Sequence, residues 1–184
     1  MATEKGERRR QALTEAAGAL LREGGFEALR HRAVAERAGL PLASTTYYFD
    51  SLDALITAAV EHTSRADLLA GRTALESAED PLDIVLDQLL GPGSRQGGLD
   101  AVLLRYEQLV GAGRRPYLAP LMRSLRVELD ALLAEAFARA GYPLDAQALR
   151  HAVETVDGAV LSALIEADPD PRAVARSALL RALT

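Results

Sequence analysis

The 184-residue sequence has no cysteine, no tryptophan, only 4% aromatic residues, and one lysine, Lys5, among its 21 basic residues. Without cysteine there can be no disulfide, thiolate zinc site or cysteine nucleophile, which suits a reducing compartment. No apolar run reaches the ~20 residues of a membrane span. The charged stretch Met1 to Arg10 is not followed by the apolar core of a signal peptide, so the expected location is the cytoplasm, with no membrane partner. His31, His62 and His151 are too scattered for a short metal-ligand motif, and the glycines from Gly91 to Gly98 lack the Lys-Ser/Thr of a phosphate loop. With no paired nucleophile and base either, the chain is not expected to be an enzyme, or to need a metal or cofactor.

What is present argues for a folded protein. Hydrophobic residues make up 49%, charged residues 26%, and mean hydropathy is +0.01, ample apolar material for a core. The formal net charge of −5 opposes nucleic-acid binding only if it is evenly spread. It is not: through Leu55 there are eight basic and eight acidic residues, leaving 13 against 18 in the remainder. The neutral first third holds Arg8, Arg9, Arg10, Arg30, Arg32 and Arg37, all available to phosphates.

Apolar residues recur at helical spacing almost throughout and nowhere alternate as in a half-buried strand, so the fold class is all-α. Gly and Pro clusters divide it into about nine helices. The first spans about Glu7 to Glu23, with Leu13, Ala16, Ala17, Leu20 and Leu21 on one face before Gly24-Gly25. A short helix runs from His31 to Ala38 and stops at Gly39. Pro41 starts a third, with Leu42, Thr45 and Phe49 facing inward and Ser44, Thr46, Tyr47 and Tyr48 pointing elsewhere. Asp50 is the expected cap of a fourth helix reaching about Ser77, with Asp53 completing a capping box. Further helices follow from Pro81 to Leu90, Leu99 to Ala112, Leu121 to Ala140, Asp145 to Ala167 and Asp170 to Leu183; Gly91 to Gly98 is expected to be a flexible, disordered loop.

A short helix, a turn holding Gly39 and a second short helix have the spacing of a helix-turn-helix, a pattern that any compact three-helix bundle shares. The order of residue types is more specific. Arg10 and Leu13, Ala16-Ala17, Gly25-Phe26, the stretch Arg32 to Phe49 (RAVAERAGLPLASTTYYF) and Ser51 to Leu55 together resemble the N-terminal signature of the tetracycline-repressor (TetR) family of transcriptional regulators. The resemblance covers about the first 55 residues, and beyond Leu55 only the architecture is similar. It implies residues 1–50 as a DNA-binding domain and 51–184 as a helical ligand-binding and dimerisation domain. It also implies a homodimer on an inverted-repeat operator in double-stranded DNA, and regulation, commonly repression, by a small-molecule effector.

The implied DNA contacts are Arg30, His31 and Arg32 at the start of the second helix and Leu42, Ala43, Ser44, Thr45, Thr46, Tyr47 and Tyr48 in the third. Physically, tyrosine hydroxyls can bond phosphates, and Ser44, Thr45 or Thr46 are short enough to approach bases or thymine methyls. Three positions depart from the family pattern: Leu52 replaces a phosphate-binding lysine, Arg30 replaces a threonine cap, and Thr46 replaces the first of a tyrosine pair. The implied ligand cavity is drawn from Leu103, Tyr106, Glu107, Val110, Tyr117, Met122, Leu125 and Arg126, where core packing explains most of the apolar members equally well. The eighth helix carries Leu149, Val153, Val156, Val160 and Leu164 on one stripe and a smaller-residue stripe beside it. The expected dimer interface is Ala152, Val156, Ala159, Val160, Ser162 and Ala163, with Leu179 and Leu180 of the last helix. The alternative is a helical protein-interaction module that has kept the three-helix head without binding DNA.

Overall fold

The computed structural model describes residues 4–96 and 98–184. Among them are nine α-helices and no strand: α1 (Glu4–Gly24), α2 (His31–Ala38), α3 (Leu42–Tyr48), α4 (Leu52–Glu76), α5 (Pro81–Leu90), α6 (Gly98–Gly113), α7 (Ala119–Arg139), α8 (Ala146–Ile165) and α9 (Pro171–Ala182). Two 3-10 turns, Phe26–Ala28 and Pro116–Leu118, complete the order. The chain forms two compact units. The first runs to Ala66 and takes in Gln108–Met122; the second comprises Asp67–Glu107 and Arg123–Thr184.

In the first unit, α1, α2 and α3 pack on one another. Leu13, Ala17 and Leu21 of α1 meet Val34 and Ala35 of α2 in a core that also buries Leu29 and Phe49, each large side chain contributing about 1.5–3 kcal/mol. Gly39 ends α2 in the left-handed region, φ 64°, where its own N–H reaches Glu36 and the next N–H reaches Ala35, a terminus only glycine adopts at low cost. Residues 108–122 join this unit by specific contacts rather than by sequence proximity. The Gln108 amide donates to the Leu21 carbonyl at 2.7 Å, and the Arg115 guanidinium lies 4.0 Å over the Phe26 ring.

Two details of the head differ from expectation. Leu42 is 53% exposed rather than turned inward. Phe49 reaches the core because it leaves α3 with an extended backbone, φ −133° and ψ 121°, so no helical stripe ties Leu42 to it. The cap of α4 is Ser51, not Asp50: its hydroxyl accepts from the Ala54 N–H at 3.1 Å, and Asp50 lies one residue too early to do so.

In the second unit α8 and α9 pack along each other and α5 meets α9, over a core that includes Leu86, Leu90, Leu132, Phe137, Val156 and Leu179. Three aspartates set the helix starts. Asp80 accepts from Leu82, Asp145 from Gln147 and Ala148, and Asp170 from Ala173, with Pro81 and Pro171 at first helical positions that have no N–H to satisfy.

The segment after α5 is not the loose linker expected. Ser94 is 4% exposed, and its hydroxyl accepts from Arg172 at 2.9 Å. Arg95 binds both oxygens of Asp87 and reaches Asp83, while Arg172 and Arg176 of α9 converge on Asp83, Asp87 and Asp80. Three guanidiniums thus hold three carboxylates one to two turns apart on α5 and pin residues 91–96 against it. Gly97 lies outside the described residues.

Candidate nucleic-acid interface and effector cavity

The outward surface of α3 is built by a short helix whose inner contacts are few and fixed. Thr45 is fully buried and its hydroxyl bonds the Leu42 carbonyl at 2.8 Å. Leu42, Ala43, Thr46 and Tyr47 are exposed, with Tyr47 79% accessible. Ser44 and Tyr48 are half-buried, and the Tyr48 ring stands edge-on to Tyr47 at 4.8 Å. Thr45 was expected within reach of bases; its burial removes it from that set.

The start of α2 is suited to an anion. Arg30, at the cap position, offers no side-chain acceptor to the first N–H groups of the helix, which are therefore free to donate outward. Arg30 is exposed and makes no ion pair among the described residues. His31 follows with its Nδ1 buried and unbonded. Arg32 is held by Glu36 at 2.9 Å and Arg37 by Glu23 at 2.7 Å. Both pairs are solvent-exposed and weak enough for a phosphate to compete. Arg10 stacks 5.1 Å from the Phe49 ring centroid, bracing the end of α3.

The expected pocket residues are divided between the two units. Leu103, Tyr106, Glu107, Leu125 and Arg126 belong to the second unit, Val110, Tyr117 and Met122 to the first. Leu125 is core, whereas Glu107, Val110 and Arg126 face solvent, Arg126 paired with Asp130 at 2.6 Å. The Tyr117 hydroxyl is buried without a hydrogen-bond partner among the described residues, and burial followed by the nearby Asp53 carboxylate raises its pKa. Tyr106 donates to Asp157 at 2.8 Å. Burial lifts the Asp157 carboxyl above its ordinary value, against the lowering effect of that hydrogen bond and of Arg126 and Arg105.

A cavity of about 170 Å³ in the second unit is lined by Asp67, Ala70, Gly71 and Ala74 of α4, Ile84, Asp87 and Gln88 of α5, Gly91, Pro92, and Arg105 of α6. Gly71 makes room for the Gln88 amide, which donates to the Asp67 carbonyl at 3.2 Å. A sequence signal that could have pointed to it is Gly71, a glycine inside a helical pattern.

The expected dimer residues divide by burial. Ala152, Val156, Val160, Ala163 and Leu179 are core of their own chain, at most 5% exposed. Ala159, Ser162 and Leu180 do reach the surface, beside two apolar side chains the sequence reading missed, Leu161 at 51% and Ile165 at 77% exposure.

Among the described residues no group of His, Asp and Glu is placed to hold a metal, and no helix is long and apolar enough to cross a membrane. Residues 13–59 match the family described as bacterial regulatory proteins, tetR family, and residues 76–184 match the tetracyclin repressor-like, C-terminal domain. No match is found among curated proteins. The multidrug binding protein EbrR complexed with ethidium is 30% identical over 95% of this chain and 97% of its own, with a TM-score of 0.68. A member of the TetR family from Streptomyces coelicolor is 32% identical over 96% and 98%, TM-score 0.62. A TetR transcription regulator from Haloarcula marismortui, 22% identical with a TM-score of 0.66 over 96% and 97%, shares the fold.

Proposed function

This chain belongs to the TetR family of bacterial regulatory proteins, and from that premise we propose that it acts as a homodimeric repressor binding an inverted-repeat operator through α3. In this reading residues 1–50 are the DNA-binding domain and 51–184 the effector and dimerisation domain, working in the cytoplasm. The observation that carries it is the α2–α3 surface: a third helix with an exposed outer face beside a second helix whose first N–H groups and Arg30 are unengaged among the described residues. Phosphate grip by these groups would fix register, and α3 would enter the major groove.

The exposed apolar side chains Leu161, Ile165 and Leu180 supply the self-association surface of α8 and α9, in the manner of a helical bundle between copies. The effector is a small organic molecule. EbrR, at 30–33% identity, is seen with ethidium, proflavin and malachite green, which makes aromatic cations the first compounds to test. Effector binding in the second unit would bias α4, the helix whose C-terminal part lines the cavity and whose N-terminal part belongs to the head. That would change the separation of the two recognition helices, which has to match a helical turn of DNA or its multiples.

Selection of tight binders from a random duplex library at fixed salt tests the reading. Recovery of an inverted repeat, with binding that weakens when proflavin is added, is the expected result; no enrichment at low salt would remove it, because the electrostatic part of binding is strongest there.

A further inference from the structure

The third helix lacks every side chain that reads a base pair by a paired hydrogen bond. Its sequence, Leu42-Ala43-Ser44-Thr45-Thr46-Tyr47-Tyr48, contains no Arg or Lys for guanine, no Asn or Gln for adenine, and no Asp or Glu for cytosine. Thr45 is buried and Ser44 partly so. The hydroxyl proton of Thr46 is committed to the Ala43 carbonyl at 3.2 Å, so this side chain can accept but not donate while it stays in place. What α3 offers outward is the isobutyl group of Leu42, the methyls of Ala43 and Thr46, and the ring of Tyr47, all on exposed residues.

A duplex presents one apolar feature in the major groove, the C5-methyl of thymine. We propose that this regulator selects its operator chiefly through contact of Leu42, Ala43 and Thr46 with thymine methyls, so that it tells thymine from cytosine by a methyl group rather than by hydrogen-bond pattern. The proposal rests on the reading that α3 enters the major groove of DNA. It follows from physical necessity once that reading holds: apolar side chains facing bare polar base edges would strip water from them and give no hydrogen bond back, whereas against a thymine methyl they exclude water from apolar surface on both sides. Charge then plays no part in base selection. Arg30 and the α2 N-terminus, which lie outside α3, supply the affinity that varies with salt.

The experiment uses the site recovered by duplex selection and replaces its half-site thymines one at a time by deoxyuridine, which removes the methyl and leaves the hydrogen-bonding edge intact. Burial of one methyl corresponds to about a three- to five-fold change in affinity. At two or more positions per half-site the intact protein is expected to bind the uracil duplex weaker by about that factor. Thr46→Ser keeps the hydroxyl and loses the methyl, so this variant should bind the thymine and uracil forms of its contacted position equally. A recovered operator that tolerates uracil everywhere, or a Thr46→Ser protein that still discriminates at every position while Leu42→Ala does too, overturns the methyl readout and leaves DNA binding by α3 standing. Failure to recover any site removes both.

Discussion

The Tyr106 hydroxyl of α6 donates a 2.8 Å hydrogen bond to the Asp157 carboxylate of α8 at a part-buried position in the second unit. One neutral donor does not replace the water a carboxylate loses on burial, and the Asp157 pKa is accordingly raised, burial being the largest cause. The folded chain therefore holds this proton more tightly than the unfolded chain, so stability falls as pH rises from the ordinary carboxyl value near 3.8 through the folded value and is level above it. Asp157→Asn keeps an acceptor for Tyr106 and removes the buried charge. It should unfold at a higher temperature than the parent at pH 7, with the difference vanishing near pH 3; equal melting at both pH values would show that folding does not raise the Asp157 pKa.

Arg172 is the most buried of the three guanidiniums on α5, its side chain 17% exposed, and it bonds Asp83, Asp87 and the buried Ser94 hydroxyl. Arg172→Ala leaves Ser94 without its donor and returns Asp87 to Arg95 alone. A loss of about 1–3 kcal/mol in denaturant unfolding is expected. Arg176→Ala, whose side chain is 42% exposed, should cost less, because solvent screens its pairs.

Tyr47 is the most exposed aromatic side chain of the head, so its hydroxyl holds nothing together within the chain. Tyr47→Phe should weaken operator binding several-fold at fixed salt while melting with the parent. Unchanged affinity would take Tyr47 out of the phosphate contacts.

The helices were legible in the sequence because their signals are local: Leu13 to Leu21 repeats at helical spacing, Gly39 stops α2, and Asp80-Pro81 opens α5. What was lost depended on partners distant in the chain. Residues 91–96 read as a linker from Gly and Pro content, yet Ser94 and Arg95 are fixed by Arg172, Asp83 and Asp87. On α8 the small residues Ala152 and Ala163 read as a docking stripe and are buried in their own chain, and a helix neighbour inside and one outside demand the same small side chains. The cavity is drawn from four segments, and only Gly71 hinted at it.

Ile165 is 77% exposed on α8, with Leu161 one turn before it. Against a second copy this patch would be buried, so Ile165→Glu should raise the dimer dissociation constant at least tenfold by sedimentation while leaving the helical signal intact. A variant that remains dimeric at micromolar concentration would move the self-association surface elsewhere.

Gly71 and Gln88 should be coupled in energy. A methyl at Gly71 would lie 2.4 Å from Gln88 Nε2 and 3.0 Å from Leu132 Cδ2, so Gln88 must swing away and lose its bond to the Asp67 carbonyl. Alanine within a helix is by itself worth about 0.5–1 kcal/mol over glycine, and the lost hydrogen bond with the pressure on Leu132 costs about 1–3 kcal/mol. Gly71→Ala alone is therefore expected to lower stability. In the Gln88→Ala background, where only the contact with Leu132 remains, the same change should cost clearly less. Denaturant unfolding of the parent, both single variants and the double variant measures the coupling directly. Additive effects would mean that Gly71 is not there to seat Gln88, and that this wall of the cavity is set by something other than the amide.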